Sequence, residues 1–160
     1  MSQFSFDAEN NHHRSFELPG AKPHYNPDRP GQVEHIYLDL NLDIPNQSCH
    51  GSCRIRLLPI SNGVDRLTLD AVNLNIQSVE VNEVSEKFDC DGEQLFIQLS
   101  QPTQVGVKLL LAIAYSVEKP QRGIYFIQPD KHYPDKPIQV WTQGEDEDSR
   151  FWFPCFDYPG

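Results

Sequence analysis

A run of four consecutive acids, Glu145 to Asp148, is the unusual charge feature of this sequence and the one best suited to chemistry. Such a run is most often a solvated loop or the start of a helix, where acids are favoured. A carboxylate beside a cleft also pairs strongly with an ammonium group once water is excluded. Calcium binding is a third interpretation, although the alternating ligand loop that calcium prefers is missing.

An aromatic segment follows the acids, and it also has two interpretations. Phe151, Trp152 and Phe153 are consecutive, with Phe156 and Tyr158 close behind. These side chains could anchor the end of a hydrophobic core. If they were exposed, they would form a partner interface. Because the sequence stops two residues after Tyr158, we expect an interface toward a neighbouring domain.

No complete catalytic site can be assembled from the other candidate residues. The histidines show no His-Glu-x-x-His spacing, and the only adjacent pair, His12 and His13, lies in a polar segment. Nothing couples a histidine to a serine or cysteine nucleophile, and there is no glycine-rich phosphate loop.

The elements that must position these residues have a period of two. Ile36, Leu38, Leu40, Leu42 and Ile44 alternate with polar residues, which is typical of an antiparallel strand with one buried face. Asp91-Gly92 predicts a hairpin turn. Further strands are predicted within 53–59, 66–69, 76–81, 95–99, 107–117, 123–127 and 138–141, and a short helical turn near 146–151.

We therefore predict an all-β domain, a bent sandwich of about seven to nine mostly antiparallel strands. The first 33 residues are polar and rich in proline, which predicts an irregular arm. The β domain is expected to span residues 34–160.

Composition excludes several classes of function. The formal charge of −10 is unsuited to nucleic acid, which needs a basic face, and to an anionic membrane surface. No secretory signal and no apolar run of about 20 residues is present, so we expect a soluble, cytoplasmic protein. The four cysteines include no Cys-x-x-Cys pair. Cys49 and Cys53 would lie roughly 13 Å apart on one strand, too far for a disulfide, so we expect reduced thiols.

The closing segment resembles the end of the N-terminal domain of M1-family zinc aminopeptidases. The resemblance is carried by Gln143-x-Glu145, then Asp148, Ser149 and Arg150, then Phe153-Pro154-Cys155-Phe156-Asp157-x-Pro159. Weaker similarity extends back to about Glu34, through His35 to Leu40, Leu67 to Ile76 and Gly123 to Tyr125.

The resemblance implies a saddle-shaped β domain that packs on a catalytic domain of the same polypeptide, expected after residue 160. That domain would supply the zinc ligands, so no catalytic residue and no zinc ligand is expected in this chain. By resemblance, Glu145 would bind the free α-amine of a peptide substrate, and Gln143 would line the pocket for its first side chain. The bond between Glu145 and Asp146 would be a cis peptide.

Two other functions stay open. An M1-like subunit of the general transcription machinery has lost its zinc site, so a non-catalytic scaffold is the main alternative. An independent β-sandwich that binds a ligand or a cell surface is the other. The Gln143-x-Glu145 pair favours the aminopeptidase, since a scaffold has no need to bind an amine.

Overall fold

Ten β-strands and one 3₁₀ turn make up residues 29–158, the part of the chain that the computed structural model describes. The strands are β1 (Gly31–Asp43), β2 (Ser48–Pro59), β3 (Arg66–Asp70), β4 (Asn75–Val81), β5 (Val84–Ser85), β6 (Lys87–Cys90), β7 (Gln94–Gln98), β8 (Leu109–Glu118), β9 (Ile124–Ile127) and β10 (Gln139–Thr142). The 3₁₀ turn is Ser149–Phe151. Residues 29–158 contain no helix with the length and apolar character that a membrane span requires.

The strands form three antiparallel sheets, which confirms the predicted all-β fold. A five-stranded sheet has the order β1-β2-β8-β4-β5, and a three-stranded sheet has the order β3-β7-β6. Strands β9 and β10 pair only with each other, as a separate ribbon whose Pro-rich connection spans residues 128–138.

The core is built from the alternating apolar positions of both larger sheets. Strands β3 and β7 contribute side chains that are fully buried, as do β2 and β8 opposite them. The central members of this cluster are Ile55, Leu57, Leu67, Leu69, Leu95, Ile97, Leu111, Ile113 and Tyr115. Each fully buried aliphatic side chain contributes about 1.5–3 kcal/mol, so this cluster is what holds the two sheets together.

The structure has two strands that the sequence pattern did not predict, β5 and β6. Every residue in both strands is exposed, so neither shows the apolar alternation by which the other strands were recognised. The hairpin turn at Asp91-Gly92 is confirmed, because β6 and β7 pair across it and the Asp91 carboxylate accepts hydrogen bonds from the Glu93 and Gln94 amides.

Two details of the predicted strands were wrong. Strand β8 begins at Leu109 rather than at Val107, which lies in a turn with its amide bonded to the Gln104 carbonyl. It is also buried on one face only, since Leu110 is exposed. Strand β1 is an edge strand, so its inward row is incompletely covered and Ile36 and Leu42 remain exposed.

The predicted arm, residues 1–33, lies almost entirely outside the described residues, and so do His12 and His13. Strand β1 begins at Gly31, within that predicted arm. The division of the chain at residue 33 stays a prediction.

All four cysteines are free, as expected. Cys49, Cys53 and Cys155 are buried in the core, whereas Cys90 is exposed on β6. Burial raises the pKa of Cys49 to about 11 and that of Cys53 to about 12, and it raises the pKa of Cys155 as well. Since the thiolate is the reactive form, both the burial and the raised pKa of these three thiols slow their reaction with external reagents in the folded domain.

We expect one thiol, Cys90, to react rapidly with Ellman's reagent in the native chain, and all four to react after unfolding in urea. The Cys90→Ser variant should lose the rapid phase and keep three slow thiols. Rapid reaction of a second thiol, or fewer than four thiols in the unfolded chain, would contradict the packing described above.

Candidate functional site

Gln143 and Glu145 follow directly from the end of the β9–β10 ribbon. The Gln143 amide donates to the Gly123 carbonyl oxygen at 2.9 Å, which extends the ribbon by one more cross-strand bond. The side chains of Gln143 and Glu145 are both exposed. The structure therefore exposes both residues implied by the resemblance, on either side of Gly144.

Glu145 occupies the turn between the ribbon and the 3₁₀ turn. The Asp148 amide closes this turn by donating to the Gly144 carbonyl at 3.2 Å. The peptide bond between Glu145 and Asp146 is cis, as the resemblance implied. A Cβ atom at Gly144 would lie 2.8 Å from the Ser149 hydroxyl, so glycine lets the turn close against Ser149.

Gly123 lets the turn pack against the start of the ribbon. Its φ is +81°, in the left-handed region that favours glycine. A Cβ atom there would lie 2.2 Å from the Asp148 carbonyl oxygen and 2.5 Å from the Trp152 ring. The segment carrying Glu145 is thus held against β9 at a distance that only glycine permits.

The acid run has two parts with different surroundings. Glu147 forms a 2.7 Å ion pair with Arg150, and Asp148 lies 3.5 Å from Arg122. The expectation that Glu147 and Asp148 are solvated or begin a helix was incomplete, because both are half-buried in ion pairs and only Asp148 adjoins the 3₁₀ turn.

Arg150 joins the turn to the rest of the domain. Its Nε donates to the Asp157 carboxylate at 3.2 Å, and its guanidinium lies 3.5 Å from the Asp70 carboxylate. Burial lowers the pKa of Arg150, but Asp70, Asp157 and Glu147 together outweigh that effect and raise it. The guanidinium is therefore charged at every ordinary pH, and its donors are directed to three carboxylates.

Asp70, at the end of β3, is the buried member of this network. It is 4 % exposed and accepts hydrogen bonds from the Asp157 amide at 3.1 Å and the Tyr158 hydroxyl at 3.4 Å. Backbone bonds of 2.8 Å and 3.1 Å also join Asp70 to Cys155. The residues after the 3₁₀ turn are thereby fixed to the edge of the three-stranded sheet.

The aromatic segment packs within the domain. Phe153 belongs to the buried core, and Trp152 and Phe156 pack against it while partly exposed. The expectation of an interface toward another domain was therefore wrong for Phe153, because the Arg150 network turns this segment inward. The interpretation as a core anchor accounts for its position.

An open depression of about 480 Å³ lies beside the turn, lined by Arg122, Glu145, Asp146, Glu147, Asp148, Arg150 and Phe151. Arg150 and Arg122 neutralise Glu147 and Asp148 within it. Among residues 29–158, Glu145 and Asp146 have no ion-pair partner. The depression therefore offers free carboxylate oxygens, which suit a cationic group.

The described residues do not fit a zinc ion. No group of three or more His, Cys, Asp or Glu side chains between residues 29 and 158 is arranged to hold a metal. Zinc chemistry, if the whole protein uses it, requires ligands other than these.

Sequence reasoning missed the roles of Asp70 and Arg122. Both lie far along the chain from the acid run, and nothing local marks either residue as its partner. The position of Asp70 directly after the inward residues of β3 is the only hint, since an acid there must either end the buried row or be paired.

The family described as the Peptidase M1 N-terminal domain matches residues 21–160. The chain belongs to this family. As an M1 N-terminal domain, it is 25% identical over 134 residues to leucine aminopeptidase 2 of Vanderwaltozyma polyspora, which covers 80% of this chain and 20% of that protein. It is 36% identical over 129 residues to transcription initiation factor TFIID subunit 2 of Danio rerio, covering 79% and 10%. The M1 N-terminal domain thus spans a fifth or less of these two proteins.

Solved structures show the same fold. Yeast LTA4 hydrolase in complex with bestatin matches with a TM-score of 0.64 and 22% identity, over 88% of this chain and 24% of that one. An M1 zinc metallopeptidase from Deinococcus radiodurans, bound to a Tyr-Ser-Ala substrate, matches with a TM-score of 0.54 and 16% identity, over 70% and 26%.

The Arg150→Met variant should lose about 3 kcal/mol of the free energy of unfolding, since it leaves Asp70 buried without its cation. Urea denaturation would measure this. The matched control is Lys136→Met, which removes the cation of the exposed Lys136–Asp130 pair and should change the midpoint little. Equal effects of the two substitutions would contradict the central role of Arg150.

The Gly123→Ala variant should lose about 3 kcal/mol, because the methyl group adds a clash with the Asp148 carbonyl to the cost of a left-handed φ. Gly106→Ala isolates the cost of the left-handed φ, since Gly106 has φ +83° and a Cβ atom there would meet no other atom within 4 Å. That control should cost about 1 kcal/mol in the same urea experiment. Similar losses at both glycines would show that the turn does not depend on the close approach.

Proposed function

We propose that this M1 N-terminal domain forms part of the substrate-binding wall of a zinc aminopeptidase. Glu145 binds the free α-amine of a peptide, and Gln143 lines the pocket for its first side chain. The observation that carries the proposal is the exposed, uncompensated Glu145 carboxylate beside Gln143, on a turn fixed by the Arg150 network.

The chemistry of the site agrees with recognition of a chain terminus. A peptide N-terminus is an ammonium ion, whereas an internal peptide nitrogen is an uncharged amide. Once a second domain covers the depression, Glu145 pairs with the ammonium in a site of low dielectric. An internal amide would leave the carboxylate buried and unpaired, which is costly. Selectivity for the terminus follows from that penalty as much as from the attraction.

Bond cleavage is assigned to a catalytic domain that continues the same polypeptide and holds the zinc. The four free thiols, three of them buried, suit a reducing compartment, so we place the protein in the cytoplasm.

A non-catalytic scaffold is the second candidate, favoured by the 36% identity to transcription initiation factor TFIID subunit 2 of Danio rerio. An M1 N-terminal domain in a scaffold would keep the core and the Arg150 network but would have no use for a free carboxylate at position 145. The sequence after Gly160 separates the two, since an aminopeptidase requires an intact His-Glu-x-x-His zinc motif there.

In the full-length protein, the Glu145→Gln variant should lower kcat/KM for unblocked aminoacyl p-nitroanilides about 100-fold, because the ammonium loses its charged partner. Asp146→Asn is the matched control, since it removes the adjacent exposed carboxylate of the same depression and should change kcat/KM by less than about threefold. Both variants should keep the wild-type urea midpoint. The isolated chain should show no turnover.

Three results would contradict the proposal. One is wild-type kcat/KM in Glu145→Gln. Another is an equal loss in Asp146→Asn, which would show that the charge of the whole run matters rather than Glu145. The third is zinc-dependent turnover by the isolated chain, or none by the full-length protein.

A further inference from the structure

The β9–β10 ribbon, whose end leads into the turn that carries Glu145, holds an aromatic stack. Tyr125 and Trp141 are directly opposite each other in the ladder, and their rings stack with centroids 4.2 Å apart and an interplanar angle of 14°. Trp141 is nevertheless 47 % exposed. An exposed tryptophan that is fixed in one orientation is well suited to binding, because little side-chain entropy remains to be lost.

The ribbon that holds this stack has no strand of another sheet beside it within the described chain. A two-stranded ribbon is only marginally stable by itself in water. The Tyr125–Trp141 pair joins its two strands across the ladder, and the Gln143–Gly123 backbone bond closes its end. The stack therefore helps to fix the position of Gln143 as well as its own.

Gln143 lies one residue beyond β10, and its backbone bond to Gly123 continues the ladder, so strand alternation predicts Trp141 and Gln143 on the same face of the ribbon. Residues two apart in an extended strand lie on one side, roughly 7 Å from each other. A leucine or phenylalanine side chain in the pocket that we assign to Gln143 is long enough to reach the Trp141 ring, whereas an alanine side chain is not.

The polarity of the residues on either side of Gln143 agrees with a pocket for the first residue of a peptide. The turn after Gln143 presents the free Glu145 carboxylate, and the strand before it presents an apolar ring. The N-terminal residue of a peptide carries an ammonium group and a side chain on the same carbon atom. A peptide that begins with a large apolar residue therefore matches both features at once.

We propose that Trp141, held in place by Tyr125, is a specificity-determining residue that forms an aromatic wall for the first side chain of the substrate and selects large apolar and aromatic residues there. This inference rests on the proposed function, in which Gln143 and Glu145 face the peptide N-terminus.

The test compares substrates in the full-length protein. The Trp141→Ala variant should lower the ratio of kcat/KM for phenylalanine p-nitroanilide over alanine p-nitroanilide roughly tenfold. Its kcat/KM for the alanine substrate should fall far less than that for the phenylalanine substrate, since alanine does not reach the ring. Trp141→Phe keeps an aromatic ring in the ribbon and should retain most of the ratio.

Ile138→Ala is the matched control. Ile138 is 67 % exposed and lies directly before the same strand, five residues from Gln143 rather than two. Its removal deletes a comparable apolar surface and should leave the substrate ratio unchanged.

The outcomes separate this inference from the proposed function. An equal loss of kcat/KM for both substrates in Trp141→Ala, or the same change of ratio in Ile138→Ala, would show that Trp141 supports the ribbon or another domain and would overturn the inference. If Trp141→Ala keeps the wild-type ratio while Glu145→Gln is impaired, this inference alone fails. If Glu145→Gln keeps full activity, or the wild-type protein has none, the proposed function fails and the inference fails with it.

Discussion

The ion pairs of the Arg150 guanidinium are the interactions on which the candidate site depends. The guanidinium lies within ion-pair distance of Asp70, Glu147 and Asp157, which belong to the end of a core strand, to the acidic turn and to the closing segment. These three parts of the chain have no regular secondary structure in common. A planar donor group directed at three carboxylates can hold them together because each bond fixes a direction as well as a distance.

This network also decides which acids remain available. An arginine that pairs with Glu147, and a second that approaches Asp148, remove the charge of those two residues from the surface. These contacts fix the backbone after Glu145, and the bond from the Gln143 amide to the Gly123 carbonyl fixes it before Glu145. None of them involves the Glu145 carboxylate. The result is a supported turn that leaves two acids, Glu145 and Asp146, without an ion-pair partner among the described residues, which suits recognition of a small cation.

The sequence predicted those parts of the structure in which the type of each residue reflects its own burial. Ile55 and Leu57 alternate with arginines because one face of β2 is buried, so periodicity located that strand. Strands β5 and β6 have no buried face, and their pairing comes from backbone groups that every residue shares. For the site, Gln143 and Glu145 were named from a motif. The residues that support them were not predicted. The Asp157 amide and the Asp70 carboxylate that accepts its hydrogen bond are 87 residues apart, and only the fold brings them together.

Some residues near the site pack or pair within the domain, and others are exposed. This difference is relevant to the choice between a peptidase and a scaffold. Phe153, Arg150, Asp70 and Gly123 each have a structural task, so either function would need them. Glu145 is exposed, and an unpaired carboxylate on the surface contributes little to folding. Trp141 supports the ribbon through its stack with Tyr125, yet it remains 47 % exposed. Under the proposed function, a ligand that carries a cation and an apolar group close together accounts for the exposure of both residues near Gln143. The 36% identity to transcription initiation factor TFIID subunit 2 shows a related domain, but a shared fold does not decide between the two functions. The exposed Glu145 carboxylate is the feature that the proposed aminopeptidase would need and a scaffold would not.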